Sequence, residues 1–253
     1  MSAEDLTAQT MELLVRIRAT RPAVHCLTNS VAQPITANAL LAVGAVPSLT
    51  SDAAELDDFV QSADALLINL GTPSGEMRRA RRSAVDTANR KPVPWVLDPV
   101  MVDRSPARLG EAREFLSEGP DVIRCNTAEA DALSLHSTGY AGVIARTGET
   151  DHICQNGREF MLKSGHPMMA HVTAIGCALS AIVAAFLAVA PDRPFNASIG
   201  ALTLFGAAGA LAAQDSNGPG SFAAALLDRL YRMDEAALNA QFPITAARKG
   251  GTF

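Results

Sequence analysis

Charged residues are scarce in this sequence, at 19% of 253 positions, against roughly 25% in an average soluble domain. Hydrophobic residues fill 48%, so less surface than usual has to face water, which is consistent with oligomerisation. A concentrated positive field is also missing. The net charge is −5, which argues against a nucleic-acid partner and an anionic membrane surface and in favour of a small ligand. The four cysteines, Cys26, Cys125, Cys154 and Cys177, form no CxxC pair, so neither a zinc site nor a disulfide framework is suggested. No GxxxxGK(S/T) motif occurs, which excludes the phosphate-loop enzymes, and no GxGxxG, which speaks against a dinucleotide oxidoreductase. His136, His152 and His171 show no metal-ligand spacing. Met1 to Leu14 has neither a basic nor an apolar leader segment, so a cytoplasmic location is expected. The longest apolar stretches, Cys177 to Ala190 and Ala197 to Ala213, are interrupted by Pro191-Asp192-Arg193-Pro194 and fall short of the ~20 residues that cross a bilayer. They read as buried core helices.

What is present is alternation. Apolar positions recur at helical spacing from Glu4 to Ala19, followed by a strand at Ala23 to Leu27, an alanine-rich helix ending at Gly44, and a strand at Val46 to Leu49. Ser51-Asp52 would cap a further helix. Strands then fall at Ala65 to Asn69, Val93 to Leu97, Val122 to Cys125 and Val143 to Arg146, with a polar helix from Ser74 to Asn89. The basic run of Arg78, Arg79, Arg81 and Arg82 in that helix reads as a solvated face. Continuous apolar strands such as Ala65-Leu66-Leu67-Ile68 fit a parallel sheet covered on both faces. Asn156-Gly157, between two short runs, predicts a hairpin with a type I′ turn at the sheet's edge. The expectation is one α/β domain over 1–253, a largely parallel central sheet with helices on both faces and an edge hairpin.

Open parallel sheets bind ligands beyond the carboxyl ends of their strands. Those ends carry Thr28-Asn29, Asn69, Asp98, Asn126-Thr127-Ala128-Glu129 and Thr147-Gly148-Glu149, a polar and oxygen-rich set. Val172 to Gly176 leads into an apolar helix near Cys177, whose first amides would hold an anion. For phosphoryl transfer, Asp98 and Glu129 are the carboxylates suited to hydrated Mg²⁺, Asn126 suits a metal-bound water or a phosphate, and Arg124 supplies a guanidinium for phosphate oxygens. A thiol at a helix N-terminus such as Cys177 is expected to have a lowered pKa and to accept a proton. Trp95 reads as core, and His25 and His166 as structural hydrogen-bonding groups.

The ordered blocks Val24-His25-Cys26-Leu27-Thr28-Asn29, Ala37 to Ala45, Asp98-Pro99-Val100, Asp121-Val122-Ile123-Arg124, Asn126 to Glu129, Thr147-Gly148-Glu149 and Gly165-His166-Pro167 leading to Gly176-Cys177 resemble those of the hydroxyethylthiazole kinases, of the ribokinase-like superfamily. The resemblance implies a ribokinase-like fold, ATP and Mg²⁺ as co-substrate and cofactor, phosphorylation of a thiazole alcohol in thiamine salvage, and a homotrimer with sites between subunits. By position, Leu49 stands where the family has a substrate-contacting methionine and Ala174 where it has a substrate-contacting glycine. Asn29 falls on the substrate side. Arg124 and Thr147 match ATP-contacting residues, Asn126 and Gly176 join them on the nucleotide side, and Cys177 occupies the catalytic position.

Three departures accompany the match. Ala174-Ile175-Gly176-Cys177 replaces the usual GTGC, Met101-Val102-Asp103-Arg104 stands where a glycine-containing loop is expected, and a glycine-rich segment and helix are largely missing between Leu133 and Gly142. They leave two other readings open: a non-catalytic or weakly active paralogue that binds a thiazole-like ligand, and a kinase for a related small heteroaromatic alcohol.

Overall fold

Each apolar strand alternates its side chains between two helical layers, and this is what makes the sheet the middle of the protein. The computed structural model describes residues 2–135 and 139–241; His136 and part of the shortened 133–142 segment lie outside them. Helix α1 (Ala3–Thr20) precedes strand β1 (Ala23–Leu27), and helix α2 (Gln33–Val43) leads to β2 (Val46–Ser48). Helix α3 (Leu56–Gln61), β3 (Ala65–Asn69), α4 (Gly75–Arg90), β4 (Trp95–Asp98), α5 (Pro106–Ser117), β5 (Val122–Asn126), α6 (Thr127–Leu133) and β6 (Val143–Thr147) continue the pattern. The hairpin β7 (Asp151–Gln155) and β8 (Arg158–Leu162) follows, then helices α7 (Ile175–Val189), α8 (Pro194–Gln214), α9 (Pro219–Arg232) and α10 (Glu235–Asn239).

The strands lie in the order β2-β1-β3-β4-β5-β6-β7-β8, parallel through β6, with the hairpin antiparallel at the edge. Asn156 and Gly157 both take positive φ, 49° and 75°, as the expected type I′ turn requires. The strand order reverses at β1, which opens a crevice beyond the carboxyl ends of β1 and β3.

Val24, Ala65, Leu67, Val96, Val122, Val143 and Ala145 belong to the apolar cluster under α1, α2, α7, α8 and α9. Leu27, Leu66, Ile68, Trp95, Leu97, Ile123 and Ile144 belong to the cluster under α3 to α6. Helix α8 is 21 residues long, longer than the apolar stretch suggests, and by length and composition alone would cross a membrane. Its residues are mostly buried inside the fold, as a core helix requires.

Two local expectations need correction. Helix α3 begins at Leu56 with Glu55 before it. Ser51-Asp52 does not cap it, because Asp52 spends its carboxylate one turn earlier, accepting from the Ala54 amide at 2.9 Å. The basic run is not a solvated face throughout: Arg81 is fully buried, donating to the Gly71 carbonyl at 2.9 Å and pairing with Glu111 at 3.2 Å. The helix turns this one arginine inward, where its guanidinium ties α4 to α5 and to the loop after β3. Removing the arginine takes the donor from the Gly71 carbonyl and leaves the nearly buried Glu111 with the half-exposed Arg78 as its partner, at 3.3 Å, and a buried group that loses its partner is costly. Arg81→Ala is expected to lower unfolding stability by about 3 kcal/mol, measured by urea denaturation.

Candidate active site

Counting alternately from the core residues of each strand, Asn69, Asp98, Arg124 and Thr147 fall on the α7 side at the carboxyl ends of β3, β4, β5 and β6. Register brings Asn69 opposite Asp98 and Asn126 opposite Thr147. The result is one connected polar network roofed by the first turns of α7. Asn29 donates through Nδ2 to Asn69 Oδ1 at 3.1 Å and approaches Cys177 Sγ at 3.7 Å. Asn69 Nδ2 donates to Asp98 Oδ2 at 2.8 Å, and Ser180 Oγ donates to the same oxygen at 2.9 Å.

Asp98 is fully buried, and its second oxygen, Oδ1, has no hydrogen-bond partner. The Arg124 guanidinium stands 3.9 Å from that oxygen and donates to the Thr147 hydroxyl at 2.5 Å. Burial pushes the Asp98 carboxyl up to about 6, opposed by the charge of Arg124 and assisted by that of Glu129.

Cys177 lies in the first turn of α7, as expected, but its proton affinity moves the other way. Burial, followed by the charge of Asp98, pushes the thiol up to about 11. The Asn69 amide, the charge of Arg124 and the Asn29 amide pull the other way without offsetting this, so the thiol is neutral near pH 7.

The amides of Ile175, Gly176 and Cys177 have no partner within the helix, since the first intrahelical bond runs from Ala178 to the Ala174 carbonyl at 3.0 Å. Arg124 lies against Gly176. A Cβ on Gly176 would come within 2.7 Å of its Nη1, so any larger residue there would push the guanidinium aside. Ala174 precedes the helix at φ 63° and ψ 16°, a left-handed conformation that glycine takes without penalty. The alanine substitution thus keeps the backbone path of a glycine and stores strain in it. Met101, at φ 57°, does the same in the altered loop after Asp98.

Glu129 and Asn126 close a capping box at the start of α6. Asn126 Oδ1 accepts from the Glu129 amide at 2.9 Å, and the Glu129 carboxylate accepts from the amides of Asn126 and Met101, both at 2.8 Å. Beside them a cavity of about 530 Å³ is lined by Met101, Asp103, Arg104, Asn126 to Glu129, Thr147 and Gly148. Among the described residues no three His, Cys, Asp or Glu side chains form a ready metal cluster. The chemistry still fits Mg²⁺ delivered with phosphate, which needs only one or two carboxylates. Asp98 Oδ1 is a buried, unsatisfied oxygen, and Glu129 keeps lone pairs beyond the two amides it binds.

A sequence model of the hydroxyethylthiazole kinase family matches residues 14–143 and 134–236. A probable hydroxyethylthiazole kinase from Agrobacterium fabrum is 43% identical over 88% of this chain and 89% of its own length. The hydroxyethylthiazole kinase of Granulibacter bethesdensis is 39% identical over 94% and 95%. The chain belongs to the hydroxyethylthiazole kinase family. The structure of the hydroxyethylthiazole kinase protein from Pyrococcus horikoshii superposes with a TM-score of 0.89 at 34% identity, over 95% of this chain and 99% of that one. A ribokinase-like superfamily protein from Enterococcus faecalis, 16% identical with a TM-score of 0.64, shares the fold. The two stretches matched by the family model overlap at 134–143.

Of the residues singled out from the sequence, Asn29, Asp98, Arg124, Thr147, Gly176 and Cys177 come together in the network, with Ala174 at its edge. Asn126 and Glu129 line the adjoining cavity. Leu49, just past β2, is half-buried and packs against the apolar cluster on the α7 side of the sheet. His25 is buried, and its ring bonds Ser48 Oγ at 2.8 Å and the Thr50 carbonyl at 3.1 Å. His166 accepts from the Met168 amide at 3.1 Å. Asn69 was visible only as a strand-end polar residue, and Ser180 went unread. The available signal for Ser180 was a lone hydroxyl one helical turn after Cys177 in an otherwise apolar helix.

Ala174→Gly relieves the left-handed strain and should raise unfolding stability by about 0.5–1 kcal/mol, after the glycine's extra unfolded-state entropy is counted, as read from urea titration. Gly176→Ala displaces the guanidinium and should raise the KM for ATP about tenfold, as read from initial rates at saturating alcohol.

Proposed function

We propose that this chain transfers the γ-phosphoryl group of ATP to the side-chain hydroxyl of 4-methyl-5-(2-hydroxyethyl)thiazole. The observation that carries the reading is the packing of Arg124 against Gly176, beside the buried Asp98 and the unpaired amides of α7. Phosphoryl transfer needs positioning and charge neutralisation more than covalent help. Arg124 and the amides of Ile175 to Cys177 would hold the transferring group at the positive end of the helix. Thr147 orients Arg124, and with Asn126 it faces the nucleotide side, where the adjoining cavity takes the rest of ATP. Bound Mg²⁺ would neutralise phosphate charge, with Asp98 and Glu129 as its carboxylates.

The alcohol would enter on the Asn29 side, against Ala174 and Leu49, with its hydroxyl near Cys177. A neutral thiol is a poor base. In a loose transition state the hydroxyl keeps its proton until late, so orientation by Cys177 and Asn29 suffices. A homotrimer with shared sites, in the cytoplasm, belongs to the same proposal. The exposed apolar residues Val31, Leu41 and Val46 beside β1 and β2 support an interface there.

The missing hydroxyl at Ile175 and the shortened 133–142 segment favour one alternative, a paralogue that binds the alcohol but transfers no phosphate. Purified protein with ATP, Mg²⁺ and the thiazole alcohol, followed by phosphorus NMR, separates the two. A phosphate ester that forms more slowly, yet still forms, with Cys177→Ala is the expected result. Binding by calorimetry without product would establish the alternative.

A further inference from the structure

Ser180 is a fully buried hydroxyl in α7, followed by the apolar run Ala181 to Val189. Burying a hydroxyl among apolar residues is unfavourable unless a partner is found. Its own helix offers one, the Gly176 carbonyl at 3.2 Å. The Asp98 carboxylate, at 2.9 Å, is the other. A hydroxyl has a single proton, and a charged acceptor binds it more strongly than a carbonyl. The bond therefore crosses from helix to strand.

That crossing has two geometric consequences. Ser180 and Asn69 together saturate Asp98 Oδ2 from opposite sides, one from α7 and one from β3. This fixes the carboxylate plane and leaves Oδ1 as the oxygen without a partner, 3.9 Å from Arg124. Ser180 also lies one helical turn beyond Gly176 and Cys177, so the same bond sets the distance between the amides at the start of α7 and the end of β4. Together with the apolar packing of α7 on the sheet, this hydroxyl registers the phosphate side of the site to the carboxylate side.

We infer that Ser180 is a positioning residue for phosphoryl transfer, acting with Asn69 to hold Asp98 so that Oδ1 faces the phosphate and metal side. The inference rests on the proposed kinase reaction. A residue with this role affects kcat more than alcohol binding, and affects how tightly a divalent ion is held with nucleotide. A residue that only satisfies a buried helix changes thermal stability and leaves both alone.

The test compares wild type with Ser180→Ala and Ser180→Thr in the full chain. The measurements are kcat, the KM of the thiazole alcohol, and the affinity for Mn²⁺ in the presence of ADP by electron paramagnetic resonance. Ser180→Ala is expected to lose about tenfold or more in kcat and a similar factor in Mn²⁺ affinity, with the alcohol KM within about twofold. Ser180→Thr, which keeps the hydroxyl, should recover most of both. A folded Ser180→Ala protein with wild-type kcat and Mn²⁺ affinity, or losses that threonine does not restore, would overturn the role. Should the alanine variant not fold, Ser180→Cys, of similar volume but a weak donor, is read the same way. Wild-type protein that makes no phosphate ester but holds Mn²⁺ with ADP counts against the proposed reaction alone, and the Mn²⁺ comparison then decides Ser180. Wild-type protein that holds neither overturns both.

Discussion

A carboxylate with no access to water and one unmatched oxygen is expensive to keep, and Asp98 is such a group. Removing a charge from solvent costs several kcal/mol even after relaxation, so its surroundings are constrained by it. Asn69 must present its amide from β3, Ser180 its hydroxyl from α7, and Arg124 its charge from β5. Each comes from a different element, and the parallel register of β3, β4 and β5 is what brings them to one level. The position of α7 over the sheet is set by these bonds as well as by the apolar cluster beneath it.

The departures from family pattern are milder in three dimensions than in the sequence. Ala174 and Met101 hold the left-handed backbone that glycine would adopt, at a penalty of roughly 1–2 kcal/mol each. A strained backbone persists where its surroundings over-determine it. Here Ala174 is held by the helix it starts, and Met101 by its amide's bond to Glu129. Ile175 is different, since its side chain is buried with the core cluster and offers no hydroxyl toward the first amides of α7.

Much of the fold was legible because it follows from short-range periodicity. Runs such as Ala65 to Ile68 read as doubly covered strands, and Asn156-Gly157 as a tight hairpin, from composition alone. The polar residues at strand ends were also legible as a set, and the ordered motifs pointed to the family. Less legible were features that depend on which way a helix is turned. Arg81 and its neighbours look alike in sequence, but only Arg81 points between α4 and α5. Ser51-Asp52 had the chemistry of a cap, which the chain used one turn too early.

The sequence by itself determined the order of elements, the side of the sheet on which each strand residue falls, and the family, because these depend on local patterns and residue identity. The tertiary structure alone decided that Asp98 would have one satisfied and one free oxygen, that Ser180 would reach it across 82 positions of chain, and that the Cys177 thiol would stay protonated. Burial and electrostatic environment are sums over neighbours brought together by packing, and no stretch of sequence contains that sum.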